Sequence, residues 1–218
     1  MTRTQREEEA VSDHLSAWLD VIARDGWAAA RIDAVADAAG TTTAVVAATL
    51  PDRFAALGAF GRALDVAALA DAGVDRTASV RDRLFAMLMA WFDALQDSRA
   101  AVLELARAAA RDPGLALFAG ARFGPSIARI AAAAGVDTDG LAGAVRVQAL
   151  VVMVMVVART WQGDDSADLA ATMKVLDERL ADAEGWARRM PHRPAASAPP
   201  VPVAAPRSAA GLLAAPDR

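Results

Sequence analysis

The sequence predicts an all-α fold, and three observations carry that prediction. The chain has 218 residues, and 58 of them are Ala, the residue with the highest helix propensity. Aromatic residues make up only 5% of the chain, so few side chains favour strands. Apolar residues also recur at helical spacing along most of the length. A chain of this size can bury a sizeable core.

The N-terminal part predicts three helices. The first carries Val11, Leu15 and Trp18 on one face and ends at Gly26. A short helix at 31–39 follows, Gly40 supplies a turn with positive φ, and another short helix spans 42–49. Two short helices joined by a tight turn are typical of a helix-turn-helix motif, in which the second helix enters a DNA major groove.

Further helices follow as far as residue 135. Asp52 is expected to cap a helix that contains Phe54, and Ser79 one that contains Leu84. The break between them contains Gly73. Residues 98–111 form another helix, and residues 114–135 are expected to be helical in pieces around two glycines and Pro125.

Two long helices are predicted to close the folded part. The first, 141–162, is apolar all round and is therefore expected to be buried in a core or a subunit interface. Arg146 and Arg159 bound its apolar run, so we expect no membrane span. The second begins at an acidic cap and is expected to carry a heptad seam for a partner helix. The alternative is a plain amphipathic helix that packs in the core. Residues 191–218 hold seven of the ten Pro residues and are expected to be disordered.

Composition narrows the classes of function. The chain has no Cys, which excludes disulfides, thiolate metal sites and cysteine nucleophiles. His14 is expected to be solvated, and the carboxylates Asp164, Asp165 and Asp168 to cap a helix rather than bind metal. No Gly-rich phosphate loop follows a strand. The sequence therefore predicts no enzyme activity, no metal and no cofactor. The charged start of the chain lacks a secretory signal, which favours a cytoplasmic protein.

The layout of helices resembles the TetR family of transcriptional regulators. The features that carry this resemblance are the helix ending in Gly26-Trp27, the helix-turn-helix pattern at 31–50 and the long helical part that follows. It implies an operator-binding part at 1–51 and a ligand-binding and dimerisation domain at 52–190. It also implies a homodimer that binds double-stranded DNA and a hydrophobic small molecule.

The resemblance places the functional residues as follows. Predicted DNA contacts are Arg31, Thr41, Thr42, Thr43, Thr49 and Arg53. Met and aromatic side chains suit an apolar pocket, with ordinary core as the alternative, and on that ground the predicted ligand contacts are Phe85, Met87, Met89, Trp91, Phe118, Phe123, Met153 and Trp161. Predicted dimer contacts are Val152, Val156, Leu169, Met173, Leu176 and Leu180.

The N-terminal part departs from the family pattern at the end of the second short helix. The usual Tyr-x-His-Phe is replaced by Ala47-Ala48-Thr49-Leu50, and Arg53 stands where a Lys is expected. Residues 1–60 contain five Arg and nine acidic residues, a net charge of −4. Most DNA-binding surfaces are basic.

A second resemblance supports an alternative function. Residues 161–180 resemble the C-terminal part of a family of ubiquinone-biosynthesis accessory proteins, which share the fold and bind isoprenoid lipid without acting on DNA. The sequence therefore predicts a ligand-responsive transcriptional regulator, with a lipid-binding accessory protein as the alternative.

Overall fold

The computed structural model of the protein describes residues 2–70 and 77–189. This part of the chain is built from helices without a strand, which confirms the predicted all-α class. The predicted break at Gly73 and the predicted disordered tail lie outside the described residues. The helices are α1 (Arg3–Asp25), α2 (Ile32–Ala38), α3 (Thr43–Thr49), α4 (Arg53–Leu69), α5 (Val80–Gln96), α6 (Arg99–Ala109), α7 (Pro113–Ala134), α8 (Gly140–Gln162) and α9 (Ala170–Arg189).

Local caps determine where two of the helices begin. The Asp52 carboxylate accepts hydrogen bonds from the backbone N–H groups of Phe54 and Ala55, both at 2.8 Å. The Ser79 hydroxyl accepts one from the N–H of Asp82 at 3.1 Å. Both side chains satisfy donors that have no partner inside the helix. α4 and α5 therefore begin where these two residues predict.

The core joins the N-terminal helices to the rest of the described chain. α1 packs against α4 and α6, α4 packs against α5 and α7, and α8 packs against α7 and α9. The largest fully buried side chains come from several of these helices and include Trp18, Trp27, Phe92, Ile127 and Trp161. Each side chain of this kind contributes roughly 2 kcal/mol by leaving water. The predicted boundary at residue 51 falls in the short connection between α3 and α4.

α7 is one continuous helix, which corrects the prediction of separate helical pieces. Pro125 lies inside it, where the missing N–H and the ring usually cost about 3 kcal/mol. The residues beyond the proline nevertheless remain helical, and Ile127 and Ile130 among them are 1% exposed. Burial of this apolar stretch against the core offsets the lost hydrogen bond. A prediction from local helix propensity does not include the free energy of this burial.

α9 begins at Ala170, six residues later than the predicted start at Asp164. The segment before it is a loop in which the Asp164 carboxylate is buried. That carboxylate accepts hydrogen bonds from the backbone N–H and the hydroxyl of Thr172, both at 2.8 Å. It also accepts from the hydroxyl of Ser166. Asp164 therefore caps α9 from eight residues upstream, across the loop.

Candidate DNA-binding surface

α2 and α3 form a helix-turn-helix pair. Gly40 has φ 62°, the left-handed conformation that the chain needs to leave α2, and glycine adopts it without strain. The N–H of Thr41 then donates to the carbonyl of Ala36 at 2.9 Å and closes the turn. Val35 on α2 and Val46 on α3 are fully buried. Val46 is the one buried residue of α3, and residues 43–45, 47 and 48 of this helix are exposed.

The exposed face of α3 consists of short side chains. It presents Thr42, Thr43, Ala44, Val45, Ala47 and Ala48. Val45 is 48% exposed, and the Thr42 hydroxyl makes no capping bond to its own helix. Threonine can bond phosphates or base edges and contact thymine methyl groups. This face can therefore approach a groove closely, with methyl groups and hydroxyls as its contacts.

Thr49 and His14 lie differently from the prediction. The Thr49 hydroxyl donates to the carbonyl of Val46 at 3.0 Å and lies 2.7 Å from Nδ1 of His14. A hydroxyl oxygen can donate one hydrogen bond and accept another, so Thr49 can bond the Val46 carbonyl and the His14 ring together. His14 is 6% exposed, so the expectation of a solvated side chain was wrong. Thr49 fastens α3 to α1 and does not offer its hydroxyl to DNA.

Arg53 turns inward instead of toward a phosphate. Its Nη1 donates to the backbone carbonyl of Trp27 at 2.8 Å, and its guanidinium carbon lies 4.6 Å from the centroid of that indole. Arg31 remains exposed at the start of α2 and forms an ion pair with Asp33 at 3.3 Å. The backbone N–H of Ala34 and this arginine lower the pKa of Asp33. Of the two predicted arginines, Arg31 is exposed and Arg53 is half-buried.

Trp27 connects the helix-turn-helix pair to the larger helical part. Its indole N–H donates to the carboxylate of Asp112 at 2.9 Å, and Asp112 also accepts from the N–H of Leu115 at 3.0 Å at the start of α7. These two bonds lower the pKa of Asp112. The Trp27 ring packs edge-on against Phe54 of α4, with centroids 5.2 Å apart. Trp27 therefore joins the segment that precedes α2 to both α4 and α7.

The charges around α3 are divided between two concavities. One, of about 390 Å³, is lined by Asp13 and Asp20 of α1 and by parts of α2 and α3. The other, of about 660 Å³, is lined by Arg3, Arg6 and Glu7 of α1 together with Thr49 at the end of α3. Arg3 forms an ion pair with Glu7 at 2.8 Å, so Arg6 carries the uncompensated positive charge in this second concavity. Arg3 and Arg6 were absent from the predicted DNA contacts, although their spacing of three on α1 already put them on one face.

The predicted ligand residues lie on α5, α7 and α8. Met87, Trp91 and Trp161 are buried, and Phe85, Met89, Phe118, Phe123 and Met153 are half-buried. The Trp91 ring contacts the Phe123 ring with centroids 6.0 Å apart, whereas Phe118 contacts Phe54 at 5.1 Å. The structure therefore brings part of the set together and places Phe118 on another surface. Neither of the two concavities beside α3 is lined by any of these side chains.

The predicted dimer residues divide into an exposed group and a buried group. Val152, Val156 and Met173 are exposed, whereas Leu169, Leu176 and Leu180 are 0–3% exposed. The three leucines belong to the core of this chain, because α9 packs against α5 and α8. The heptad seam of α9 is therefore not a free surface, which corrects the prediction for these leucines and agrees with the alternative of a core helix.

α8 is exposed along one apolar face, so the core of this chain covers only part of it, and the predicted alternative of a subunit interface stays a prediction for the rest. Leu141, Val145, Val152 and Met155 follow one another at helical spacing, and Leu141 is 84% exposed. By length and composition alone, α8 could cross a membrane; 22% of its most apolar window is buried.

Comparison with solved structures identifies the architecture. The TetR transcriptional regulator from Nitrosomonas europaea ATCC 19718 superimposes with a TM-score of 0.68 at 16% identity, over 80% of this chain and 98% of that one. A putative TetR-family transcriptional regulator from Rhodococcus sp. gives a TM-score of 0.59 at 20% identity, over 80% and 98%. A TetR-like transcriptional regulator from Rhodococcus sp. RHA1 gives 0.52 at 20% identity, over 85% and 98%. The chain has the TetR fold.

The comparisons establish the fold, and the function has to be inferred from the residues of this chain. Neither a protein-family model nor a curated protein sequence matches the chain. At identities of 16–20%, the structural likeness establishes the TetR fold that the sequence predicted. Fold alone does not fix function. None of the structures named above is a ubiquinone-biosynthesis protein, so the resemblance of residues 161–180 to that family is not shown.

Proposed function

We propose that the protein is a DNA-binding transcriptional regulator of the TetR type, which acts in the cytoplasm as a homodimer and responds to a hydrophobic ligand. The observation that carries this proposal is the placement of α3. In a TetR fold, α3 is held by one buried valine and one histidine bond, and the rest of its surface is uncovered. No catalytic role is proposed.

The proposed DNA contacts are a revised form of the sequence prediction. Thr42 and Thr43 at the start of α3 supply hydroxyls and methyl groups for the major groove. Arg31 at the start of α2, with Arg3 and Arg6 beside the end of α3, supplies the positive charge for phosphates. Thr49 and Arg53 are assigned to structure instead, because the Thr49 hydroxyl and Nη1 of Arg53 are bonded within the chain.

The proposed dimer forms through the exposed face of α8. Contiguous apolar surface of this kind marks interfaces in proteins, and Met173 of α9 extends it. A stable interface of standard size buries about 800 Å² on each partner, which several exposed aliphatic side chains on a long helix can supply. We assign this face to a second copy rather than to a membrane because α8 also packs against α7 and α9.

The proposed ligand response uses the contacts between α5, α7 and Trp27. The buried indole nitrogens of Trp91 and Trp161 have no hydrogen-bond partner within the described part of the chain. An unsatisfied buried donor costs about 1–3 kcal/mol. A hydrophobic ligand with one acceptor atom near Trp91 would remove that cost. If α7 shifted on binding, Trp27 and Asp112 would carry the shift to α2 and α3, so ligand and DNA affinity would be coupled.

The direct test is DNA binding by the full chain as a function of salt concentration. Fluorescence anisotropy would compare DNA from upstream of its own gene with random DNA of the same length. If three arginines of each subunit contact phosphates, a dimer makes about six such contacts. The logarithm of the association constant should then fall with the logarithm of the salt concentration with a slope of about −5. Equal and negligible binding to both DNAs would contradict the proposal for that promoter.

A matched pair of variants tests whether α3 carries the DNA binding. Val45→Glu adds a charge on the exposed face of α3, and Val66→Glu adds the same charge at a 70% exposed position on α4. We expect the first variant to lose DNA binding and the second to retain it, with both folded by circular dichroism. Equal loss in both, or in neither, would remove α3 from the interface.

A further inference from the structure

Two arginines from different helices converge above Gly58. A Cβ atom added at Gly58 would lie 3.4 Å from an Nη of Arg122 on α7 and 3.7 Å from an Nη of Arg62 on α4. Gly58 is buried because these side chains cover it, whereas both arginines are exposed. The absence of a side chain at this position allows two guanidinium groups to approach the same point on the backbone.

The convergence follows from the register of α4 and α7. Phe54 pairs with Phe118, with ring centroids 5.1 Å apart, and one turn later Gly58 lies beneath Arg122. Two turns further along α4 and one turn further along α7, Asp65 accepts a hydrogen bond from the hydroxyl of Ser126. The contact positions rise together along both helices, which therefore run in the same direction. Arg62, one turn after Gly58, necessarily lies along this seam.

The two arginines have no acidic partner within the described residues. Asp65 is the nearest carboxylate in this register, but its two oxygens are taken by the Ser126 hydroxyl and by the guanidinium of Arg129. Arg122 instead lies over the ring of Phe118, with its guanidinium carbon 5.3 Å from the centroid. Like charges that approach without a counter-ion repel each other, so their proximity favours binding of an anion.

The neighbouring surface is apolar. The half-buried Phe118 flanks Arg122, and Val66, one turn after Arg62, is 70% exposed. A guanidinium group binds a carboxylate in two parallel hydrogen bonds, and its face stacks on aromatic rings. We propose that Arg62 and Arg122 bind the carboxylate of a small organic acid, with its apolar body against Phe118 and Val66. This site lies on the outer seam of α4 and α7, away from α3.

The test is calorimetric titration of the full chain with sodium benzoate, in the absence of DNA. Benzyl alcohol is the uncharged control ligand, and sodium phosphate is the inorganic anion. The variant Arg62→Gln/Arg122→Gln removes both guanidinium groups. Its matched control, Arg111→Gln/Arg179→Gln, removes two other exposed arginines and gives the same net charge.

Saturable binding of benzoate, with little binding of benzyl alcohol, is the expected result. Loss of one charge-assisted bond weakens binding roughly tenfold, so the Arg62→Gln/Arg122→Gln protein should bind at least that much more weakly. The control variant should bind like the unaltered protein. Melting curves confirm that both are folded, and Arg62→Lys/Arg122→Lys, which keeps the charges, should bind with intermediate strength.

Three results would overturn the proposal. These are absence of saturable benzoate binding, equal binding by the two double variants, and phosphate binding as tight as that of benzoate. The last would show a site for any anion and not for organic acids. Because no DNA is present, failure here leaves the proposed regulator function intact, and failure of DNA binding leaves this site intact.

Discussion

At the scale of single residues, the direction of a side chain decides its role more than its type does. Arg53 carries a charge at the start of α4, where a phosphate contact was predicted, yet its guanidinium binds the Trp27 carbonyl and covers the indole ring. Thr49 is similarly bonded to His14. Both residues belong to the support of the helix-turn-helix pair, and Arg31 is the predicted arginine that stays exposed.

The variant Arg53→Ala tests this assignment through stability. A hydrogen bond from a charged group contributes about 1.5–3 kcal/mol, so we expect the free energy of unfolding to fall by about 2 kcal/mol. Urea denaturation measures it. Arg6→Ala, which removes an exposed arginine, should change stability by less than about 0.5 kcal/mol. If Arg53→Ala kept the stability of the unaltered protein but lost DNA binding, Arg53 would have to be a DNA contact.

At the scale of elements, the loop between α8 and α9 depends on one buried carboxylate. The hydroxyl of Ser166, followed by the backbone N–H of Thr172, holds the pKa of Asp164 well below its usual range. Leu169, at the end of this loop, has φ 52°, a left-handed conformation that costs a non-glycine residue roughly 1 kcal/mol. The ionised carboxylate and the burial of Leu169 together hold the loop in place.

Asp164→Asn should lower the free energy of unfolding by an amount that depends on pH. The ionised form is favoured in the folded state, so its contribution is present above the unfolded pKa of about 4 and is lost as pH falls below it. At pH 7 we expect the variant to be about 2 kcal/mol less stable than the unaltered chain. Denaturation from pH 7 to pH 2 should show the gap narrowing on the acid side. A gap that stays constant, or a similar loss in the exposed control Asp168→Asn, would contradict this role.

The elements also show what the sequence can predict. Asp52, Ser79 and Gly40 act on their immediate neighbours, so the starts of α4 and α5 and the turn before α3 follow from local rules. His14 and Thr49 are 35 residues apart, and no periodicity within α1 indicates their bond. The cap of α9 acts across eight residues, which is beyond the reach of capping patterns.

At the scale of the whole molecule, the distribution of apolar surface predicts assembly. α9 turns its leucines into the chain's own core, while α8 leaves Val152 and Met155 uncovered. The predicted seam on α9 was therefore assigned to the wrong partner, because a single sequence does not tell an intrachain from an interchain contact. The organic-acid site on α4 and α7 lies outside the predicted contacts except for Phe118, since the register of two distant helices creates it.

The proposed dimer is tested by a charge on the exposed face of α8. Val152 is 56% exposed, so Val152→Glu should fold but bury a carboxylate at the interface. Light scattering coupled to gel filtration should give twice the 22.6 kDa chain mass for the unaltered protein and the single-chain mass for the variant. Val66→Glu is the matched control and should remain a dimer. A Val152→Glu protein that is still dimeric would place the interface elsewhere.

Selection of binding sites from a random double-stranded DNA library tests the central claim most directly. A homodimer with two α3 helices should enrich a two-fold symmetric sequence, with half-sites about one helical turn apart or a multiple of it. The same selection with Val45→Glu should enrich no sequence. Enrichment of a symmetric motif that requires Val45 is the predicted result. Absence of any enriched sequence with folded, dimeric protein would contradict the assignment of α3 to DNA binding.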